Sequence, residues 1–241
     1  MNALIIGATG GIGGELTRRL SAAGHSLFVS ARNAARLAGF ADSLGLPHSA
    51  GDVTASAEVD RVFAEALSRL GRIDAVALCV GSILLKPAHQ TTDAEWQDTL
   101  QLNLSAAFFV TRAAARAMNA TGGSVALVST CAARVGLPNH EAIAAAKAGV
   151  EGLVRSAAAT YAPRNIRFNA VAPGLVDTPL SARITSNELA LKASRAMHPL
   201  GRIGTPGHVA SALAWLLDPA QDWVTGQVIG VDGGLATVRG R

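Results

Sequence analysis

Near the amino terminus the run Gly7-Ala8-Thr9-Gly10-Gly11-Ile12-Gly13 has the make-up of a backbone that another molecule approaches closely. Glycine permits positive φ and puts no Cβ between the chain and a ligand. An apolar stretch, Asn2 to Ile6, precedes the run, and residues 15–23 follow it at helical spacing. In a strand, glycine turn and helix, the free N–H groups of the helix start can hold a pyrophosphate. Gly7, Thr9, Gly11, Ile12 and Gly13 are therefore candidate dinucleotide-binding residues, against the plainer reading of a tight strand-to-helix turn.

Two further positions bear on which dinucleotide. A second apolar run, Leu27 to Ser30, ends at Ala31-Arg32-Asn33, with Arg36 one helical turn on. An acid at this place suits a ribose 2′-OH. An arginine suits a 2′-phosphate, because its fork of donors matches phosphate oxygens. The expected cofactor is NADP(H) in preference to NAD(H); the alternative is an ordinary solvated Arg32. Asp52, in Gly51-Asp52-Val53, can accept from an adenine amino group or cap a helix beginning near Ser56.

Proton chemistry has a candidate in His140. If a helix has begun by that residue, positions 140, 143 or 144, and 147 share a face, which puts His140 beside Lys147. Imidazole titrates near neutral pH and can act as a general acid. The alternative is a surface or helix-cap histidine in the loop Asn139-His140-Glu141. Glu141 suits the first turn of that helix, where the dipole favours an acid. Cys131 has no neighbouring base in the sequence and reads as a small buried hydrophobe.

These residues need elements to hold them. Asp74 to Val80, Gly123 to Ser129, Ile166 to Val171 and Gln227 to Val231 read as further strands, with a short one before Gly51. Residues 57–70, Gln90 to Met118 (capped by Asp93), His140 to Tyr161 and Pro206 to Leu217 read as helices, and Ser181 to Ala196 as a helical lid. The alternation predicts an α/β fold: a single Rossmann domain over 1–241, its seven parallel strands doubly wound with helices on both faces. Ligands of such sheets lie at the carboxyl ends of the strands.

Composition narrows the functional classes. With 241 residues, 49% of them hydrophobic, the chain can bury a large core. The net charge of +4 is spread without a Lys/Arg block, so no nucleic-acid partner is expected. The opening apolar run stops at Gly7 and lacks a basic flank, unlike a secretory signal. No apolar run reaches membrane-spanning length, so no membrane partner is expected. Two cysteines suggest no disulfide framework, and a cytoplasmic location is expected. No metal is expected.

Across nearly its whole length the chain resembles the classical short-chain dehydrogenases/reductases. The Gly7, Gly11, Gly13 spacing, NAVAPG from Asn169 to Gly174, LVDTP around Val176 and Thr178, HPLGRIGTPGHVA from His198 and GQVIGVDGG from Gly226 carry the resemblance. It implies that Asp52 and the adjoining Val53 contact the adenine and that Asn103 holds a proton-relay water. It implies too that Gly81, Pro173, Gly174, Val176 and Thr178 line the nicotinamide end. In the family a Ser stands thirteen residues before a Tyr, and that Tyr four before a Lys. Here Thr130 and Lys147 fit, and the position between them is Ile143. A second departure is Leu78-Cys79-Val80-Gly81, where family members carry Asn-Asn-Ala-Gly. Lys147 would bind the nicotinamide ribose and Thr130 the substrate oxygen, with Asn103 and His140 completing the catalytic candidates. The only tyrosine, Tyr161, lies about 21 Å further along the helix at 1.5 Å per residue and cannot substitute. The implied function is an NADP(H)-dependent oxidoreductase acting on a carbonyl or alcohol, with Ile83, Leu84, Leu137, Leu175 and Leu180 forming an apolar pocket. The alternative is a catalytically inactive NADP(H)-binding homologue, a sensor or an assembly subunit. A homodimer or homotetramer is expected in either case.

Overall fold

Every residue of the strand Ala75–Leu78 and of the strand Ile166–Pro173 is buried, as happens when a sheet is covered on both faces. These are β4 and β6 of a seven-stranded parallel sheet in the computed structural model, which describes residues 1–239. The other strands are β1 (Asn2–Ile6), β2 (Ser26–Ala31), β3 (His48–Ala50), β5 (Gly123–Val128) and β7 (Val228–Val231). Their order is β3-β2-β1-β4-β5-β6-β7, so the direction of winding reverses between β1 and β4. A crevice opens at such a reversal, outside the carboxyl ends of the strands. Register makes those ends level: Ile6 pairs with both Ser30 and Leu78.

Alternation along the strands divides the core in two. Leu4, Ile6, Phe28, Val76 and Phe168 pack against α3 (Ser56–Leu70), α5 (Ala106–Ala117) and α6 (Glu141–Tyr161). Ala3, Ile5, Leu27 and Val29 pack against α1 (Gly11–Ala22), α2 (Ala34–Asp42) and α9 (Pro206–Leu217). Tyr161 belongs to the first layer, its ring 5.6 Å from that of Phe168.

The structure moves several expected boundaries. The helix expected from Gln90 is α4 (Asp93–Leu100), a π-helical turn Gln101–Ser105, and then α5. Its cap is Thr92 rather than Asp93, because Thr92 and Glu95 bond reciprocally: Glu95 N–H donates to Thr92 Oγ1 (3.2 Å) and Thr92 N–H to Glu95 Oε2 (2.9 Å). The single lid helix is instead α7 (Ala182–Thr185) and α8 (Glu188–Met197), divided at Asn187, whose side chain caps α8. Helix α6 starts at Glu141, which leaves His140 outside it as the cap residue. Strand β6 runs on to Pro173 because its last residues pair with β7. Among the described residues no helix is long and apolar enough to cross a membrane. Positions 240 and 241 of the expected domain lie outside the described residues.

Candidate active site

A cleft of about 420 Å³ lies at the strand reversal. The glycine turn forms one wall. Gly7 has φ +88°, and a Cβ there would lie 2.8 Å from the Cys79 carbonyl. A Cβ at Gly11 would lie 2.8 Å from Thr178 Cγ2, so the loop after β6 closes over the turn. Gly13 has another role. A Cβ there would lie 2.2 Å from the Gly7 carbonyl oxygen, so its bare backbone makes room for protein, and it does not line the cleft. Thr9 and Ile12 do line it.

Arg32 and Arg36 stand exposed at the rim. Arg36 Nη2 donates to the Thr9 carbonyl (2.9 Å), which ties the arginine to the glycine turn. Asn33 caps α2 by accepting from Arg36 N–H. Asp52 does not cap α3, whose cap residue is Ala55. It closes a turn of its own, accepting from Thr54 N–H (2.9 Å) and Thr54 Oγ1 (2.7 Å). Those two bonds, with Arg32 nearby, hold its carboxyl below the usual aspartate range. Val53 is buried beside it, and both line the cleft.

Gly81 and Leu102 line the cleft, and behind them lie the rest of the π-helical turn and α6. Extra turns of this kind inside a helix recur at functional sites. Here the turn aims Asn103 inward, 2% exposed, donating to Ser82 Oγ (2.8 Å) and to the Thr99 carbonyl. Lys147, 6% exposed, reaches over the sheet to donate from Nζ to the Val128 carbonyl (2.8 Å). The two side chains meet over Gly81: a Cβ there would lie 3.0 Å from Asn103 Oδ1 and 3.3 Å from Lys147 Nζ. Burial lowers the Lys147 ammonium from its ordinary value to about 8.

Thr130 follows β5 and donates from Oγ1 to the Pro173 carbonyl at 3.5 Å. Ile143, one turn before Lys147, is buried and apolar. His140 Nδ1 bonds to the Pro138 carbonyl (2.7 Å), and no hydrogen bond joins it to Thr130, Asn103 or Lys147 among the described residues. Thr178, after β6, lines the cleft, whereas Pro173 at the end of β6, Gly174 and Val176 do not. Among the expected pocket residues, Leu180 lines the cleft and is half exposed, and Ile83 is exposed as well.

Three features escaped the sequence. Glu151, one turn beyond Lys147, is buried with Arg134 Nε on both its oxygens and Ser129 Oγ on one. That network ties the loop after Thr130 to α6. Ser181 exchanges bonds with Thr178, a pairing legible in the spacing Thr178-Pro179-Leu180-Ser181. His198 bridges the Ser194 carbonyl (2.6 Å) and Leu175 N–H (3.2 Å), which joins α8 to the loop after β6. Among the described residues no His, Cys, Asp and Glu side chains cluster as metal ligands would.

The family described as Enoyl-(Acyl carrier protein) reductase matches residues 7–236. The chain belongs to the short-chain dehydrogenase/reductase superfamily. Within that superfamily it is 36% identical over 244 residues to cis-4-hydroxycyclohexanecarboxylate dehydrogenase of Sinomonas cyclohexanicum, covering 98% of this chain and 96% of the relative. It is 34% identical to the hydroxynaphthalene reductase-like protein Arp2 of Metarhizium brunneum, covering 98% and 94%. A short-chain type dehydrogenase/reductase from Mycobacterium ulcerans superposes with a TM-score of 0.94 at 32% identity, covering 99% and 90%. A variant of actinorhodin polyketide ketoreductase, solved with NADPH, superposes with a TM-score of 0.93 at 29% identity, covering 98% and 97%. Membership of the superfamily brings an NAD(P)(H)-binding fold and oxidoreductase chemistry on carbonyl or alcohol groups of small molecules.

Proposed function

We propose that this chain is an NADP(H)-dependent oxidoreductase that interconverts a carbonyl and an alcohol on an apolar small molecule, at a site where Ile143 replaces the superfamily's tyrosine. The observation that carries this reading is the convergence of Lys147 Nζ and Asn103 Oδ1 over Gly81, beside a cleft walled by the glycine turn. The cleft suits a dinucleotide because Gly7, Gly10 and Gly11 line it with bare backbone, and because two arginines stand at its rim. When bound, the nicotinamide would supply or accept the hydride. Gly7 to Gly13 and the start of α1 would hold the pyrophosphate. Arg32 would read the 2′-phosphate and Asp52 the adenine amino group. Thr178, on the chain that runs from Pro173 through Gly174 and Val176, would seat the carboxamide end, Lys147 would hold a ribose hydroxyl and Thr130 the substrate oxygen. The names of two relatives point to a ring-bearing alcohol or ketone as the substrate class. Exposed Phe108, Trp215 and Trp223 support assembly into a homodimer or homotetramer, and two free cysteines support a reducing, cytoplasmic setting.

The test pairs NADPH oxidation against a panel of cyclic ketones with cofactor binding followed by nicotinamide fluorescence. Turnover with any of them supports the oxidoreductase. Arg32→Ala is expected to weaken NADPH by about 1.5–3 kcal/mol, the range of a charge-assisted contact, and to leave NADH unchanged. Equal losses for both cofactors would mean that Arg32 does not read the 2′-phosphate. A second reading follows from Ile143, an apolar residue 5% exposed where a proton donor is needed. It makes the protein a non-catalytic NADP(H) sensor or assembly subunit, and tight NADPH binding without turnover would select it.

A further inference from the structure

We propose that the ammonium of Lys147 is itself the proton donor to the substrate oxygen, in place of the missing phenol. The inference rests on the oxidoreductase reading and names the acid that reading lacks. Nζ sits where β4, β5 and the π-helical turn meet, above Gly81 and beside the end of the strand that leads into Thr130. Among the described residues one protein acceptor, the Val128 carbonyl, accepts from Nζ; of its two other donors one would hold a ribose hydroxyl and one is left for the substrate oxygen.

The other titratable groups near this end of the sheet are buried or paired, apart from Nε2 of His140, which bonds to none of Thr130, Asn103 and Lys147 among the described residues. His140 lies outside α6 with Nδ1 on Pro138. Tyr161 is packed on Phe168 in the core. Burial pushes the thiols of Cys79 and Cys131 up to about 12 and about 11, where they are poor acids. Glu151 is paired with Arg134 and Ser129. Asp232 accepts from the Gly234 and Ala236 N–H groups. The groups facing Nζ from packed elements are the neutral Cys79 thiol just after β4, the Asn103 amide on the π-helical turn and the Val128 carbonyl on β5; none is a carboxylate. Burial without a counter-charge leaves Lys147 titrating at about 8, close to the pH at which a general acid works best.

The step balances. In reduction, a nicotinamide held through Thr178 and Lys147 would supply the hydride to the carbonyl carbon, and the C=O π pair would move to oxygen. That oxygen takes a proton from Nζ, directly or through one intervening hydroxyl. The neutral amine left behind is reprotonated from solvent.

The chain has three lysines, Lys86, Lys147 and Lys192, so protein labelled with ¹³C at lysine Cε shows three resonances. Lys147→Arg identifies the Lys147 signal by its loss. With NADP⁺ bound, that signal is expected to titrate at about 8. Carbonyl reduction at saturating NADPH should fall tenfold per pH unit above the same value. Lys147→Arg, which keeps the charge but cannot release a proton, should lose about 10²-fold in kcat at saturating NADPH. Methylamine should restore part of the turnover of Lys147→Ala, and His140→Ala should leave the pH break in place. A Lys147 signal that titrates with the other two overturns the proposal without any variant. So does turnover without a matching pH break, or a break that disappears in His140→Ala. Wild-type protein that binds NADPH but reduces no carbonyl overturns the oxidoreductase reading as well.

Discussion

At the scale of single residues the proposed site turns on Ile143. Ile143 can neither give nor take a proton, yet it lies one turn from Lys147 on a helix held by the same sheet. A phenol at this position would share a face with the ammonium. General acid–base catalysis is worth about 10²–10⁴-fold, so Ile143→Tyr is expected to raise reduction of a small activated diketone by about 10²-fold. The measurement is initial-rate NADPH oxidation, with NADPH affinity followed in parallel. Tyr is larger than Ile, and Ile143 is 5% exposed, so overpacking can cost about 1–3 kcal/mol. A folded variant with unchanged NADPH affinity and no gain in rate would show that position 143 is not where a phenol acts.

At the scale of elements, the turn between β1 and α1, proposed above to cradle phosphate, is also a packing device. Gly13 is where α1 presses on the end of β1, with the Gly7 carbonyl 2.2 Å from the place a Cβ would take. Backbone cannot rotate away as a side chain can, so Gly13→Ala is expected to destabilise the protein by about 3 kcal/mol. Gly39, within α2, meets nothing within 4 Å. The same substitution there removes a flexible residue from a helix and should stabilise by about 0.5–1 kcal/mol. Urea unfolding of both variants checks the contrast. Two changes of the same sign would contradict this account of the turn. The π-helical turn is a further case: without its extra residue, Asn103 would point away from Gly81.

At the scale of the molecule, one sheet carries both core layers, so neither can melt alone. Trp96 on α4 and Trp215 on α9 report from opposite faces of that sheet. Heating is expected to give one transition, coincident in tryptophan fluorescence and far-UV circular dichroism. A ligand at 100 times its Kd stabilises by about 2.7 kcal/mol, and in a domain of this size each kcal/mol moves Tm by about 2–4 °C. NADPH at that excess should raise Tm by roughly 5–10 °C. NADH at the same concentration should raise it by less. Equal shifts would argue against a 2′-phosphate site.

Periodicity and glycine placement were enough to read β1, α9, the parallel sheet and the glycine turn between strand and helix, because those depend on local backbone rules and alternating burial. Lys147, Asn103 and Thr130 were legible through family resemblance, as identities without surroundings. Local patterns misplaced the cap at Asp93 and gave Asp52 a helix to cap, since competing side-chain bonds from Thr92 and Thr54 decide both. The arrangement around Gly81 belongs to the tertiary structure. Positions 81, 103 and 147 are far apart in the chain and meet because strand order and register bring β4, β5 and two helices to one edge. The burial that shifts the Lys147 ammonium exists only there, as does the pairing of Arg134 with Glu151. A charge's energy depends on the solvent it has lost and the partners it has gained, and both are properties of the folded chain.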